Sequence, residues 1–300
     1  MNSSTRRVTK LTLRIVLLGL LSLSALGVCA DDPAPPLSKE DFEATLRYQH
    51  GVVALPQGIA TLRIPVGFRY LGPADARRIL EQAWGNPQGD GTLGMLFPSA
   101  ISPLDEQGWG VVITYDEDGH VSDEDADAID YDQLMKDMQE GNVAANAERA
   151  EQGQAPVELL GWAARPYYDK VAKKLHWARE LRFPDAPENT LNYNIRILGR
   201  KGVLVLNAVA NMSQLGAIQT RMAEVLTFTD FNPGYGYADF NPDVDTTAAY
   251  GFAALVAGGV AAKAGLFAKL FAFLIAGKKI IAVVVVALIA LMRKVLARKR

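Results

Sequence analysis

Three hundred residues carry 31 Lys and Arg against 33 Asp and Glu, a net charge of −2 at pH 7, but the balance is uneven along the chain. Residues 31–262 hold all 33 acids and 18 of the bases, a net −15, and a domain of that charge repels phosphate backbones, which argues against nucleic-acid binding. The single cysteine, Cys29, lies in the first thirty residues, so the chain after them has no thiol for a disulfide, a nucleophile or a thiolate metal site.

The chain opens with Arg6, Arg7, Lys10 and Arg14 and no acid, continues as an apolar run over residues 15–26, and reaches Val28-Cys29-Ala30 ahead of Asp31-Asp32. This order predicts a secretory signal peptide over residues 1–30, cleaved after Ala30. The apolar run is too short to span a bilayer comfortably, and Val28 stands where a lipoprotein signal wants a small residue. A Pro-containing lead over residues 31–48 follows, and then an exported globular domain over residues 49–240.

Within that domain, residues 51–55 and 59–64 are β-branched, apolar pieces separated by Pro56-Gln57-Gly58, the pattern of a hairpin. Pro73 opens a helix in which Ala76, Ile79, Leu80, Ala83 and Trp84 follow helical spacing, and Gly85 ends it. Residues 94–97 come next, and residues 109–115 form a further strand. Residues 131–152 read as a polar helix with Leu134, Met135 and Met138 as its apolar anchors. Two hairpins follow, residues 157–164 with 175–183 and residues 191–198 with 203–210. Residues 203–209 are apolar at nearly every position and are expected to form a central strand covered on both faces. Ser213 is the expected cap of a last helix carrying Leu215, Ile218, Met222 and Val225. The fold class is therefore α+β, a largely antiparallel sheet with flanking helices, plus a C-terminal membrane helix or helices.

Residues 116–132 contain nine acids and no Lys or Arg. Asp116, Asp118, Asp123 and Asp125 are the candidate oxygen ligands for Ca²⁺. The spacing departs from an EF-hand, since Thr114 takes the first ligand position and no Glu closes the loop. The expectation is accordingly structural: Asp118-Gly119 as a hairpin turn and Ser122-x-x-Asp125 as a helix cap. Around residues 161–169 and 175–177, Trp162, Arg165, Tyr167, Tyr168 and Trp177 could make a binding surface; core packing is favoured, with Trp162 and Trp177 paired across two strands and the tyrosines in the turn. His50, His120 and His176 share no metal-ligand spacing. No nucleophile elbow, phosphate loop, zincin motif or dinucleotide fingerprint occurs, so no catalytic residue and no cofactor is assigned.

Residues 241–300 read as a linker and a C-terminal membrane anchor with a basic tail. No acid follows Asp245, and residues 248–292 are mostly Ala, Gly, Leu, Ile, Val and Phe, suited to contact with membrane lipid. Residues 280–292 give only about 20 Å of helix against roughly 30 Å of hydrocarbon. The expected crossing is residues 249–277, with Lys278, Lys279 and the tail from Arg293 on the cytoplasmic side; a second crossing stays open. Ala254, Gly258 and Ala262 recur every four residues, a spacing by which membrane helices approach closely, and they mark a possible homo-oligomer contact; an Ala/Gly-rich helix without a partner is the alternative.

Three blocks in order, GWAARPYYDKVAKKLHWARELRF from Gly161, LNYNIRILGRKGVLVLNAVA from Leu191 and DTTAAYGFAALVAGGVAAKAGLFAKL from Asp245, resemble the bacterial membrane-anchored proteins called domain of unknown function 2167, over residues 48–279. The resemblance implies an exported domain with a C-terminal anchor and supplies no activity, cofactor or catalytic residue. The expected function is a non-enzymatic periplasmic binding or assembly module at the bacterial inner (cytoplasmic) membrane, partnered by an unknown envelope protein. The alternatives are a hydrolase with dispersed catalytic residues and a Ca²⁺-dependent module.

Overall fold

The computed structural model describes residues 38–258; the expected signal peptide, Ala262 and the basic tail lie outside them. Ser38 caps α1 (Lys39–Ala44) by accepting a hydrogen bond from the Asp41 N–H. The chain then passes through β1 (Tyr48–Gln49), β2 (Gly51–Ala54), β3 (Ala60–Ile64) and β4 (Phe68–Leu71), and β2 pairs with β3 in the expected hairpin. Pro73 sits in the first turn of α2 (Pro73–Arg78), where its missing N–H has no helical acceptor to lose. The helix continues through a wider turn over Ile79–Ala83 and stops before Gly85, whose φ of +67° the glycine accommodates. After β5 (Thr92–Pro98) and β6 (Gly110–Asp116) come α3 (Tyr131–Glu151), β7 (Glu158–Asp169), β8 (Lys174–Arg182), β9 (Thr190–Leu198) and β10 (Val203–Asn211), and then α4 (Leu215–Phe228), β11 (Thr229–Phe231) and α5 (Ala253–Ala257).

Eight strands form one sheet in the order β1-β4-β5-β6-β10-β9-β8-β7, every neighbouring pair antiparallel, and β11-β3-β2 form a second. The α+β reading with a large antiparallel sheet and a few helices holds. β10 lies between β6 and β9, and its apolar run is the expected central strand.

The two faces of the large sheet are covered differently. On one face Ile113, Ile195, Leu204 and Leu206 pack with Ile218, Met222, Val225 and Phe228 of α4 and with Leu62 and Ile64 of the small sheet. On the other, Leu175, Trp177, Val203 and Val205 meet Val121 and Ala126 of the acidic loop and Phe252, Leu255 and Val256 at α5. Nearer β4 and β5, Ala76 and Ile79 close a smaller cluster over Leu71, Met95 and Phe97.

Four local readings are corrected. Ser213 is not the cap before α4: Asn211 and Gln214 form a reciprocal capping box on the preceding turn, and the Ser213 N–H donates to Glu188 instead. Tyr167 and Tyr168 lie on β7, which carries three register shifts, and the turn falls after Asp169. Asp118-Gly119 makes no hairpin, because β6 pairs with β5 and β10; Ser122 accepts from the Glu124 N–H, while Asp125 turns to the Phe252 N–H. The globular unit also continues past residue 240, since Phe252 is fully buried in it and Leu255 and Val256 nearly so.

Candidate functional site

Strand alternation places Asn192, Asn194 and Arg196 of β9 on one face and Leu191, Tyr193, Ile195 and Ile197 on the other. The register sets Asn192 opposite Arg179 of β8 and Asn194 opposite Asn207 of β10. Polar side chains from three adjacent strands thus meet on the face that carries α3. They are joined in a defined order. Arg179 Nη2 donates to Asn192 Oδ1 at 3.2 Å, Asn194 Nδ2 donates to the same oxygen at 2.8 Å, and Asn192 Nδ2 donates to Asn207 Oδ1 at 2.8 Å. Burial pushes the Arg179 guanidinium down to about 10, and the charge on Arg196 adds to the shift. It still carries its proton at neutral pH.

α3 covers this face without a broad apolar stripe; Met135 is its one buried residue. Amide side chains hold it instead. Gln139 Nε2 donates to the Leu159 and Leu160 carbonyls at 3.2 and 3.0 Å, Asn142 Oδ1 accepts from the Leu159 N–H, and Asn146 both donates to the Val157 carbonyl and accepts from its N–H. These bonds satisfy backbone groups on and beside β7, the outermost strand of the sheet, which would otherwise be an open pairing edge.

Between α3 and the sheet runs a groove of about 640 Å³, within the size range of small-molecule sites. Arg179, Asn192 and Asn207 form its polar floor, Leu134, Met138, Leu159 and Leu181 line its sides, and Ala257 stands at one margin. Gly141 lies in the α3 wall, and a Cβ built on it meets nothing within 4 Å. Packing does not demand this glycine, and a helix-interior glycine costs about 1 kcal/mol relative to alanine. It adds no side chain to the groove lining.

The candidate Ca²⁺ ligands are dispersed among protein donors. Asp123 accepts from Tyr168 Oη at 2.6 Å, Lys173 Nζ at 2.7 Å and Tyr237 Oη at 2.9 Å. Asp118 accepts from Tyr250 Oη at 3.3 Å, Asp125 accepts from the Phe252 N–H, and Asp116 ends β6. Among the described residues no group of three or more His, Cys, Asp or Glu is placed to hold a metal ion.

Of the histidines, His50 is exposed. His120 is buried and stacks on Phe240 at 3.9 Å between ring centroids, and burial lowers its imidazole pKa. Trp162 faces Arg179, and Trp177 faces Asn194, so the two are not direct cross-strand partners, although both pack in one apolar cluster. Tyr168 packs on Phe252 at 4.6 Å, while Tyr167 is exposed. Ala254 is buried against the domain, and Gly258 leaves the helix at φ +95°, so the two do not form one exposed helical stripe. Among the described residues, no helix is long and apolar enough to cross a membrane.

A family model described as a protein of unknown function, DUF2167, matches residues 47–289. The chain belongs to this family. No curated protein matches it. Solved structures similar to this DUF2167 chain include the solution structure of cyanobacterial PsbP (CyanoP) from Synechocystis, at 8% identity and a TM-score of 0.34, covering 62% of this chain and 92% of that one. The Ran-binding protein Mog1p of Saccharomyces cerevisiae is similar at 13% identity and a TM-score of 0.35, covering 66% and 100% respectively. A point mutant of Mog1 gives 12% identity and a TM-score of 0.34, over 61% and 95%. Likenesses of this strength carry no argument about the groove, which stands on this DUF2167 chain's own geometry.

The sequence reading passed over Arg179, Asn192, Asn194 and Asn207. The signal was present in the alternation Asn192-x-Asn194-x-Arg196 on a strand expected to lie next to the centre of the sheet. Polar residues at every second position of such a strand either face water or face a built polar site.

Proposed function

We propose that this DUF2167 chain is a non-catalytic binding module of the bacterial cell envelope, exported by its N-terminal segment and held at the inner membrane by its C-terminal region. The groove beneath α3 is its binding site. One observation carries the reading: a charged, half-buried Arg179 on the floor of a roughly 640 Å³ groove, hydrogen-bonded to an amide and to no carboxylate. The polar groups on its floor are guanidinium and amide donors, which orient a ligand, and the Asp137 carboxylate of α3 joins them in the lining. The tether reading is supported by the apolar composition of residues 259–292 and by the basic residues that close the chain.

One experiment tests both halves. Full chain released from the membrane fraction with mild detergent is expected to carry a co-purifying small molecule, seen as a mass difference in native mass spectrometry and absent from Gly141→Leu, which adds a bulky side chain to the groove lining. Recovery of the full chain from the soluble fraction would contradict the tether. An equal bound mass in Gly141→Leu would contradict the groove.

A further inference from the structure

We propose that the groove takes an organic monoanion, a carboxylate carried on a short apolar body, with Arg179 as its counter-ion; this rests on the groove being the binding site. A charge withdrawn from water is ordinarily paired or neutralised. Arg179 is neither. Its five N–H donors make one protein hydrogen bond, to Asn192, and its Nε is buried without a partner. Among the described residues no carboxylate forms an ion pair with it. Asp137, the acid that lines the groove, accepts from Gln133 at 2.8 Å. The neighbouring Arg196 differs: its guanidinium lies over the Trp177 ring at 5.4 Å, its Nε points to the Leu255 carbonyl at 3.5 Å, and Asp116 favours its charged form.

The amides beside Arg179 are arranged so that acceptors are used and donors are left over. Asn192 Oδ1 already accepts from both Arg179 and Asn194, and Asn207 Oδ1 accepts from Asn192, which leaves the Asn207 amide NH₂ as a further donor. A floor of spare donors beside an unanswered planar cation fits the two oxygens of a carboxylate, which a guanidinium grips side by side. The aliphatic walls fit an apolar body, and Gly141 adds no side chain to them. The net −15 carried by residues 31–262 works against multiply charged anions, so a monoanion is favoured over a phosphate.

The test uses full chain in dodecyl maltoside, titrated calorimetrically with hexanoate, with neutral hexanol and with hexyl phosphate, alongside thermal unfolding of wild type, Arg179→Met and Gly141→Leu. Hexanoate is expected to bind saturably and raise Tm, with hexanol and hexyl phosphate at least tenfold weaker. Arg179→Met should lose at least tenfold in hexanoate affinity while unfolding at a higher Tm without ligand, because it removes a half-buried charge, with a buried and unpartnered Nε, that no protein carboxylate answers. A lower Tm for Arg179→Met without ligand would show that the arginine holds the fold, and the proposal would fall. Hexanol binding as tightly as hexanoate, with both lost in Gly141→Leu, would overturn the anion and leave the groove standing. No binding of any probe would overturn the carboxylate assignment, and an equal co-purifying mass in Gly141→Leu would separately remove the groove.

Discussion

Asp123 shows what the acidic loop does at the scale of one side chain. Burial alone would raise its carboxyl, but hydrogen bonds from Lys173, Tyr168 and Tyr237 outweigh it and hold the group down to about 2. The same contact contributes to pushing the Tyr237 hydroxyl up to about 12, after burial. A carboxylate lowered on folding stabilises the fold above its unfolded value and loses that contribution as pH falls through its folded value. Asp123→Asn should therefore cost about 1–2 kcal/mol at pH 7, a figure reduced for partial solvent screening. The deficit should shrink from about pH 5 downward and vanish only below pH 2. Urea unfolding followed by tryptophan fluorescence at several pH values measures it, and a deficit independent of pH would mean that the variant loses packing and not charge.

At the scale of elements, what was legible in the sequence was what repeats. The β2–β3, β7–β8 and β9–β10 hairpins, α3, α4 and the central position of β10 all follow from periodicity and turn residues. The groove was not legible, because the covering of a sheet face by a helix ordinarily shows as an apolar stripe, and α3 is fixed by Gln139, Asn142 and Asn146 instead. The bulges of β7 shift inward and outward positions, so Tyr168 reached Asp123 and Phe252 where a turn was expected. Composition misplaced α5 for a related reason: an apolar segment suits a core as well as a bilayer, and Phe252 lies in the core. Phe252→Ala should cost about 3–5 kcal/mol, as for other fully buried phenylalanines. A denaturation midpoint shift worth under about 1 kcal/mol would show that residues 245–258 peel away before the domain unfolds.

Across the whole molecule, the C-terminal segment is strapped along the face that holds the groove. Arg200 donates to Asp245 at 2.7 Å, the His120 N–H donates to the Thr246 carbonyl at 2.8 Å, and the Ala248 N–H returns to the His120 carbonyl at 2.8 Å. Gly119, at φ +104°, permits this approach, since a Cβ there would stand 2.7 Å from the Thr246 oxygen. The segment brings Ala257 into the groove lining, beside the proposed ligand. A separate cavity of about 600 Å³, lined by Phe42, Trp84 and Leu104, lies by α1 and the turn after α2, and it provides an internal comparison. Amide hydrogen exchange on the full chain, with and without the co-purifying molecule or hexanoate, separates the two sites directly. The groove assignment predicts slowed exchange in α3 and in β8 and β9, with α1 and α2 unchanged; protection confined to α1 and α2, or none in α3, would contradict it.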